Sequence, residues 1–190
     1  MEMFTTYTIG MATLKYQYVV SPLRRKRLTL SSCGEYMMTN EVWEDEYTID
    51  FGRVNDAYLD ASRTASDEEK AHWARVAENV KLFTDDPEVH VAALFHDLIE
   101  DGYMTSHDVV WVTNERVLDL VLALTRKKTE TYAEFFDRLA SDLIYAKYIK
   151  MADLMDNMTR SGEGISDEKK ASLLKRYKKA MATLVRSLEQ

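Results

Sequence analysis

Val89-His90-Val91-Ala92-Ala93-Leu94-Phe95-His96-Asp97-Leu98-Ile99-Glu100-Asp101 is an apolar run that ends in charge. Wound as a helix, it is apolar on nearly every side, the mark of a central, buried element. Yet it carries His96, Asp97, Glu100 and Asp101 within about one and a half turns. His96 and Glu100 stand four residues apart and share a face. Asp97 and Asp101 form a second such pair, about 100° round the axis. Buried carboxylates without partners cost several kcal/mol each. One histidine and three acids on a buried helix therefore call for a cation, and a divalent metal with nitrogen and oxygen ligands fits that donor set. The alternative is a salt-bridged helix end open to water.

A second segment, Ile149-Lys150-Met151-Ala152-Asp153-Leu154-Met155-Asp156-Asn157, repeats the pattern of an apolar helix bearing acids. Asp153 and Asn157 are again four apart, and Asp156 is three from Asp153, so all three point roughly one way. A carboxylate here would complete a metal site while the neighbouring amide binds substrate.

Around these segments the chain reads as all-α. Ser66 with Glu69 and Thr131 with Glu134 are capping boxes, in which the hydroxyl accepts from an early backbone N–H and the glutamate reaches back. The first opens a helix to about Phe83. Asp86-Pro87 opens the next, which is expected to run to Asp101 and stop at Gly102. Further helices fit 106–112, 115–124, 132–140 and 143–159. Ser161-Gly162-Glu163-Gly164 is a break, after which Ser166 caps a last helix to about Leu188. The stripe of Leu173, Leu174, Tyr177, Met181, Leu184 and Leu188 along that helix is core or subunit contact.

Residues 1–52 differ and form an N-terminal extension of unknown role, against a main domain over 53–190. Tyr16–Val20 and Leu28–Leu30 lean towards strand, with Ser21-Pro22 as a break. Arg24-Arg25-Lys26-Arg27 is expected to be a solvated basic turn. Trp43, Trp73 and Trp111 are expected in the core, with Trp73 also placed to stack on a base. His107 is expected at the surface.

Composition narrows the function classes. The 190 residues are 46% apolar and 30% charged, with 6 Gly and 2 Pro, which argues for one folded domain with a small appendage rather than disorder. Lys and Arg number 25 against 32 Asp and Glu, a formal charge of −7. General nucleic-acid binding is therefore not expected, and an anionic ligand needs a local cationic site or a metal. The single cysteine, Cys33, excludes an internal disulfide framework and a Cys-rich zinc site. No apolar run reaches the ~18 residues of a membrane span. The N-terminus lacks a charged region followed by an apolar one. A cytoplasmic location is the expectation.

Taken with its surroundings, His96-Asp97-x-x-Glu100-Asp101, followed by Lys150-Met-Ala-Asp153-Leu-Met-Asp-Asn157, resembles the HD metal-dependent phosphohydrolase superfamily. It is closest to the hydrolase domain of the RelA/SpoT-type alarmone enzymes and to their single-domain form, the small alarmone hydrolases. That family has an earlier histidine ligand about 25 residues upstream. Here His72 lies 24 residues before His96, in His72-Trp-Ala-Arg-Val76-Ala77, where the family carries His-Pro-x-x-Val-Ala. The resemblance spans about residues 55–160. It departs from the family in one loop: Gly-x-Pro-Tyr-Ile-x-His-Pro is replaced by Asp67-Glu-Glu-Lys70-Ala-His72-Trp73, which reads as continuous helix. The family's arginine that packs on guanine has only Arg63 as a counterpart by proximity.

The resemblance implies an HD helical bundle in which His72, His96, Asp97 and Asp153 hold one metal, expected to be manganese, with another divalent ion as the alternative. Glu100 and Asp101 then orient or deprotonate water and protonate the leaving group. Asn157 and Asp156 would bind the sugar or a phosphate, and Asp156 is also placed to orient a ligand. His90 is expected to be a packed histidine, with replacement of His72 as ligand the alternative. Arg126, Lys127, Lys128, Lys147, Lys150 and Arg160 are the phosphate candidates, against a solvated basic loop. The implied activity is removal of the 3′-pyrophosphate from guanosine tetra- or pentaphosphate (ppGpp). The alternatives are an HD phosphohydrolase acting on another nucleotide (a 5′-nucleotidase or a deoxynucleoside triphosphate hydrolase) and a non-catalytic nucleotide-binding module. A homo-oligomer and a functional pairing with an alarmone synthetase stay open.

Overall fold

The computed structural model describes the backbone of residues 3–9, 12–18, 24–30 and 36–42, and, with side chains, residues 49–160 and 166–189. Two compact units divide the chain, one of Met1–Thr6 and Lys15–Thr48, the other of Tyr7–Leu14 and Ile49–Gln190.

Four strands lie in the N-terminal region: β1 (Met3–Ile9), β2 (Ala12–Tyr18), β3 (Arg24–Leu30) and β4 (Tyr36–Val42). They form two two-stranded sheets, β1 with β2 and β3 with β4. The second pair is antiparallel, with Arg24 opposite Val42 and Leu30 opposite Tyr36. Arg24–Arg27, expected as a turn, is instead the first half of β3. The ladder with β4 gives these residues backbone partners that a local composition reading does not weigh. The Ser21-Pro22 break, Cys33, Trp43 and the Ser161–Gly164 break lie outside the described residues.

Among the described residues from Phe51 onward the structure is all-α, as the sequence indicates. The helices are α1 (Phe51–Ala61), α2 (Asp67–Asn79), α3 (Pro87–Leu94), α4 (Ser106–Val112), α5 (Glu115–Leu124), α6 (Tyr132–Ala140), α7 (Ile144–Arg160) and α8 (Asp167–Leu188). Their starts follow from side-chain caps. Ser66 and Glu69 complete the box that opens α2, Thr131 and Glu134 the box that opens α6, and Thr105 and Asp108 a third that opens α4. Asp86 caps α3 with proline in its first turn.

α3 is the axle of the helical unit. Val89, His90, Val91, Ala92, Ala93 and Leu94 are all buried, as expected of a helix apolar on every side. It packs against α2, α5 and α7, while α8 covers α6 and α7. Small side chains at Ala92, Ala93, Ala74, Ala77, Ala146 and Ala152, all buried, suit close approach of these helices. Tyr58 of α1 joins the core through an edge contact with Trp73 at 6.2 Å and a stacked one with Phe95 at 6.4 Å. The stripe of α8 is only half-buried at most positions; Leu184 is its fully buried member.

Two expectations fail here. α3 does not continue to Asp101: it ends at Leu94, and Phe95–Gly102 is a series of turns. The break comes where the Leu98 N–H bonds to the Phe95 carbonyl at 3.0 Å instead of reaching back four residues to Leu94. The expected stop at Gly102 does hold: its N–H bonds to the Ile99 carbonyl at 3.2 Å and the Tyr103 N–H to the Leu98 carbonyl at 2.9 Å. Gly102 takes φ +80°, a conformation that strains any residue with a Cβ. Trp111 is not core. It is 66% exposed, lies under the Arg53 guanidinium at 4.7 Å and stacks on the exposed His107. The apolar period of α4 is too short to orient a tryptophan by itself.

Candidate metal centre

Three elements bring the donors together: α2 supplies His72, the turn after α3 supplies His96 and Asp97, and α7 supplies Asp153. His72 Nε2 lies 3.3 Å from Asp153 Oδ1 and 3.7 Å from Asp97 Oδ2. His96 Nε2 lies 3.1 Å from Asp97 Oδ2 and 3.9 Å from Asp153 Oδ1. Two donors held ~2.1 Å from one cation stand ~3.0 Å apart at right angles and ~3.4 Å apart at the tetrahedral angle. The His72–Asp153 and His96–Asp97 pairs already have that spacing, and the two longer distances need only small shifts to close on one ion. His72, His96 and Asp153 are buried, with donor atoms all within 4.8 Å of one another.

His96 supplies the sharpest test of fit. Its Nδ1–H donates to the Ala93 carbonyl at 2.8 Å, which fixes the tautomer and turns Nε2 into the cluster. That Nε2 is fully buried and has no hydrogen-bond partner. An orphaned imidazole lone pair facing two carboxylates is costly unless something electron-poor meets it. A divalent cation with two imidazole and two carboxylate donors fits these residues.

The electrostatics are those of carboxylates that gather positive charge. Burial pushes the Asp97 carboxyl up, but the His96 and His72 imidazoles beside it and the more distant Lys150 ammonium outweigh burial and hold it well below the usual carboxylate range. Burial likewise opposes the charge on Asp153, and Lys150, whose Nζ stands 2.7 Å from Asp153 Oδ2, brings it far down. Burial also disfavours a charged His72, yet its contacts with Asp153, Asp97 and Asp156 raise it to about 9.

A further shell surrounds His72. Its Nδ1–H donates to Asp156 Oδ2 at 2.6 Å. Asp156 also accepts from Arg75 Nε at 2.6 Å and Arg160 Nε at 2.7 Å. Asn157 donates its amide to Asp153 Oδ1 and accepts from Arg160 Nη2 at 3.0 Å. Of the residues expected to bind substrate, Asp156, Asn157, Lys150 and Arg160 are thus all gathered around the metal donors. Arg75 was not among them; its signal was the three-residue spacing from His72, which puts both side chains on one face of α2.

Glu100 and Asp101 are exposed at the rim, not buried, because the turn carries them out of the core. Glu100 accepts from Arg126 N–H at 3.2 Å. Partial desolvation at the rim, then the like charges of Asp97, Glu100 and Glu69, raise the Asp101 carboxyl. The basic loop Arg126-Lys127-Lys128 is exposed, as the solvated reading has it, yet its backbone is fastened to Glu100. The Arg126 side chain turns back to the Glu130 carbonyl at 2.9 Å. Lys147 is buried on α7.

The remaining sequence candidates lie apart. His90 Nε2 contacts the Thr84 carbonyl at 2.8 Å, and it is His72, not His90, that stands in the donor group. Arg63 is exposed and paired with Asp60 at 2.9 Å. Trp73 is 1% exposed and packs edge-on against Tyr103 at 5.4 Å, so it is core and not a base platform.

No protein-family model matches this chain, and no curated protein matches it. Thirteen chains of solved structures do match. One comes from work reporting that a metazoan ortholog of SpoT hydrolyses ppGpp and plays a role in starvation responses. It is 21% identical, with the alignment covering 73% of this chain and 94% of that one at a TM-score of 0.58. At that identity the likeness speaks for the fold alone: over the aligned part the chain folds as that structure does.

Proposed function

We propose that this chain is a metal-dependent phosphohydrolase that removes the 3′-pyrophosphate from guanosine tetra- and pentaphosphate, with manganese as the expected ion. The observation that carries the proposal is the convergence of His72, His96, Asp97 and Asp153 beside a rim formed by Glu100 and Asp101. Those four residues would hold the cation; bound there, it lowers the pKa of a water and draws charge from a phosphoryl oxygen. The fold likeness to a structure described as a ppGpp hydrolase supports the substrate class.

The chain's own residues divide the rest of the work. Glu100, at the rim and fastened to the Arg126 N–H, orients the attacking water and takes its proton. Asp101, whose carboxyl is raised, holds a proton more readily than an ordinary aspartate and returns it to the leaving oxygen. Asp156 fixes His72 with Nε2 towards the donors. Asn157 presents an amide between Asp153 and the nucleotide. Lys127 and Lys128, both exposed on the loop that meets Glu100, attract the polyphosphate.

One observation favours a second reading, an HD phosphohydrolase acting on another nucleotide. α2 runs unbroken from Asp67 to Asn79 through His72, so the substrate loop of the alarmone enzymes is absent. Incubating the manganese-loaded protein with a panel of nucleotides and identifying the products separates the two. Pyrophosphate released from guanosine tetraphosphate supports the first; orthophosphate or triphosphate from other nucleotides supports the second. Tight nucleotide binding without turnover would favour a binding module.

A further inference from the structure

Two guanidiniums meet at the Nδ1 edge of His72, whereas its Nε2 edge faces the metal donors. Arg75 and Arg160 each give Nε to a different oxygen of Asp156. Asp156 is 4% exposed, so it is the permanent counter-ion of the pair. The outer edges of the same guanidiniums meet a second anion. Glu68 Oε1 lies 2.9 Å from Arg75 Nη2 and 3.1 Å from Arg160 Nη1. The Glu68 side chain is 63% exposed, against 40% for Arg75 and 33% for Arg160.

The two anions are not equivalent. Asp156 is enclosed by His72 and both arginines and cannot leave without stranding them. Glu68 sits in the first turn of α2, where water and salt screen its hold on the arginines. A phosphate brings more charge and more acceptor oxygens to the same donors, in the geometry that arginine matches best. The pair is also wired to the metal donors twice, through the two ring nitrogens of His72 and through Asn157, which bridges Arg160 and Asp153.

We propose that Arg75 and Arg160 form a phosphate-binding fork, that Glu68 is an internal anion displaced when a ligand arrives, and that the ligand is a substrate phosphate other than the one hydrolysed. The proposal rests on the phosphohydrolase reading and narrows it. The preferred substrate is a nucleotide phosphorylated at two separate positions, one for the metal centre and one for the fork. A nucleotide with a single phosphorylated position fills one of them at a time.

Inorganic pyrophosphate titrated into the full-length, metal-free protein tests the fork without turnover. Glu68→Gln removes the competing charge and no buried partner, so it should tighten binding by ~2–5-fold. Arg75→Ala leaves Asp156 with Arg160 and His72 and should weaken binding by ~10-fold or more. In the manganese-loaded enzyme, KM for guanosine 3′,5′-bis(diphosphate) should move in the same order. KM for a nucleotide phosphorylated only at one position should stay within about twofold. Pyrophosphate affinity unchanged or weakened in Glu68→Gln overturns the fork. Ordered pyrophosphate affinities with KM values that ignore the order overturn its assignment to substrate. If the loaded wild type turns over no nucleotide, the phosphohydrolase reading and the substrate assignment fall together, while the pyrophosphate series still decides the fork.

Discussion

His96 and Glu100 illustrate how single residues split the labour. His96 is buried, pinned through Nδ1 and orphaned at Nε2; Glu100 is exposed at the rim. His96→Ala should lose both metal and stability, because it removes a donor and leaves Asp97 and Asp153 facing each other. Glu100→Gln keeps the shape but not the proton-accepting charge. A positioned general base contributes ~10²–10⁴-fold, so single-turnover rates should fall by that factor while metal content and nucleotide affinity hold. Metal loss in Glu100→Gln equal to that in His96→Ala would make Glu100 a ligand and Asp101 the base. His72 gives a pH prediction. Its folded-state value of about 9 exceeds its ordinary 6.5, so in the metal-free protein its charge stabilises the fold fully below pH 6.5. That contribution is lost as pH rises through 9. A cation requires the neutral ring, so metal affinity should climb with pH, by ~10-fold per unit between those limits. Isothermal titration at several pH values checks this; a flat profile would show that His72 does not coordinate.

Among the elements, helix starts were legible and one helix end was not. Ser66, Asp86, Thr131 and Ser166 announced their helices because a cap acts within four residues. The stop at Leu94 was hidden because the apolar pattern runs on through Phe95 and Leu98, and both are buried. What ends α3 is the tightening at Phe95, whose carbonyl takes the Leu98 N–H at 3.0 Å, a shift that no periodicity encodes, whereas the later stop at Gly102 was announced by the glycine itself. The same turn explains why the grouping of His96 with His72 and Asp153 was legible but the exposure of Glu100 and Asp101 was not. The basic loop shows a further tertiary dependence. Arg138 of α6 pairs with Glu130 at 2.7 Å and donates to the Ala123 carbonyl at 2.9 Å and the Thr125 carbonyl at 3.3 Å. It thereby fastens the loop whose Arg126 N–H meets Glu100. Arg138→Ala should cost about 1–2 kcal/mol through the lost carbonyl bonds. It should also lower kcat by loosening the partner of Glu100, although Arg138 belongs to neither metal shell. Replacing Lys127 and Lys128 by alanine should instead raise KM with a smaller change in kcat, an effect that shrinks as salt rises. Thermal melts and steady-state kinetics distinguish the two.

Across the whole molecule, the donor set ties α2, the turn after α3, and α7 to one point. A ligand that binds only the folded chain stabilises it by about 2.7 kcal/mol at a hundred times its Kd. For a chain of this size each kcal/mol moves Tm by ~2–4 °C, so chelation should lower Tm by ~5–10 °C. Among the described residues no helix is long and apolar enough to cross a membrane. The surroundings of His72 were the least legible feature, because the fork behind it depends on pairings of α2 with α7 between residues more than eighty positions apart. The most direct test of the central claim is a product assay. The manganese-loaded protein is incubated with guanosine tetraphosphate, with and without chelator, and the products are separated. Release of pyrophosphate that stops on chelation and returns with added manganese is the predicted result; full activity in chelator would contradict it.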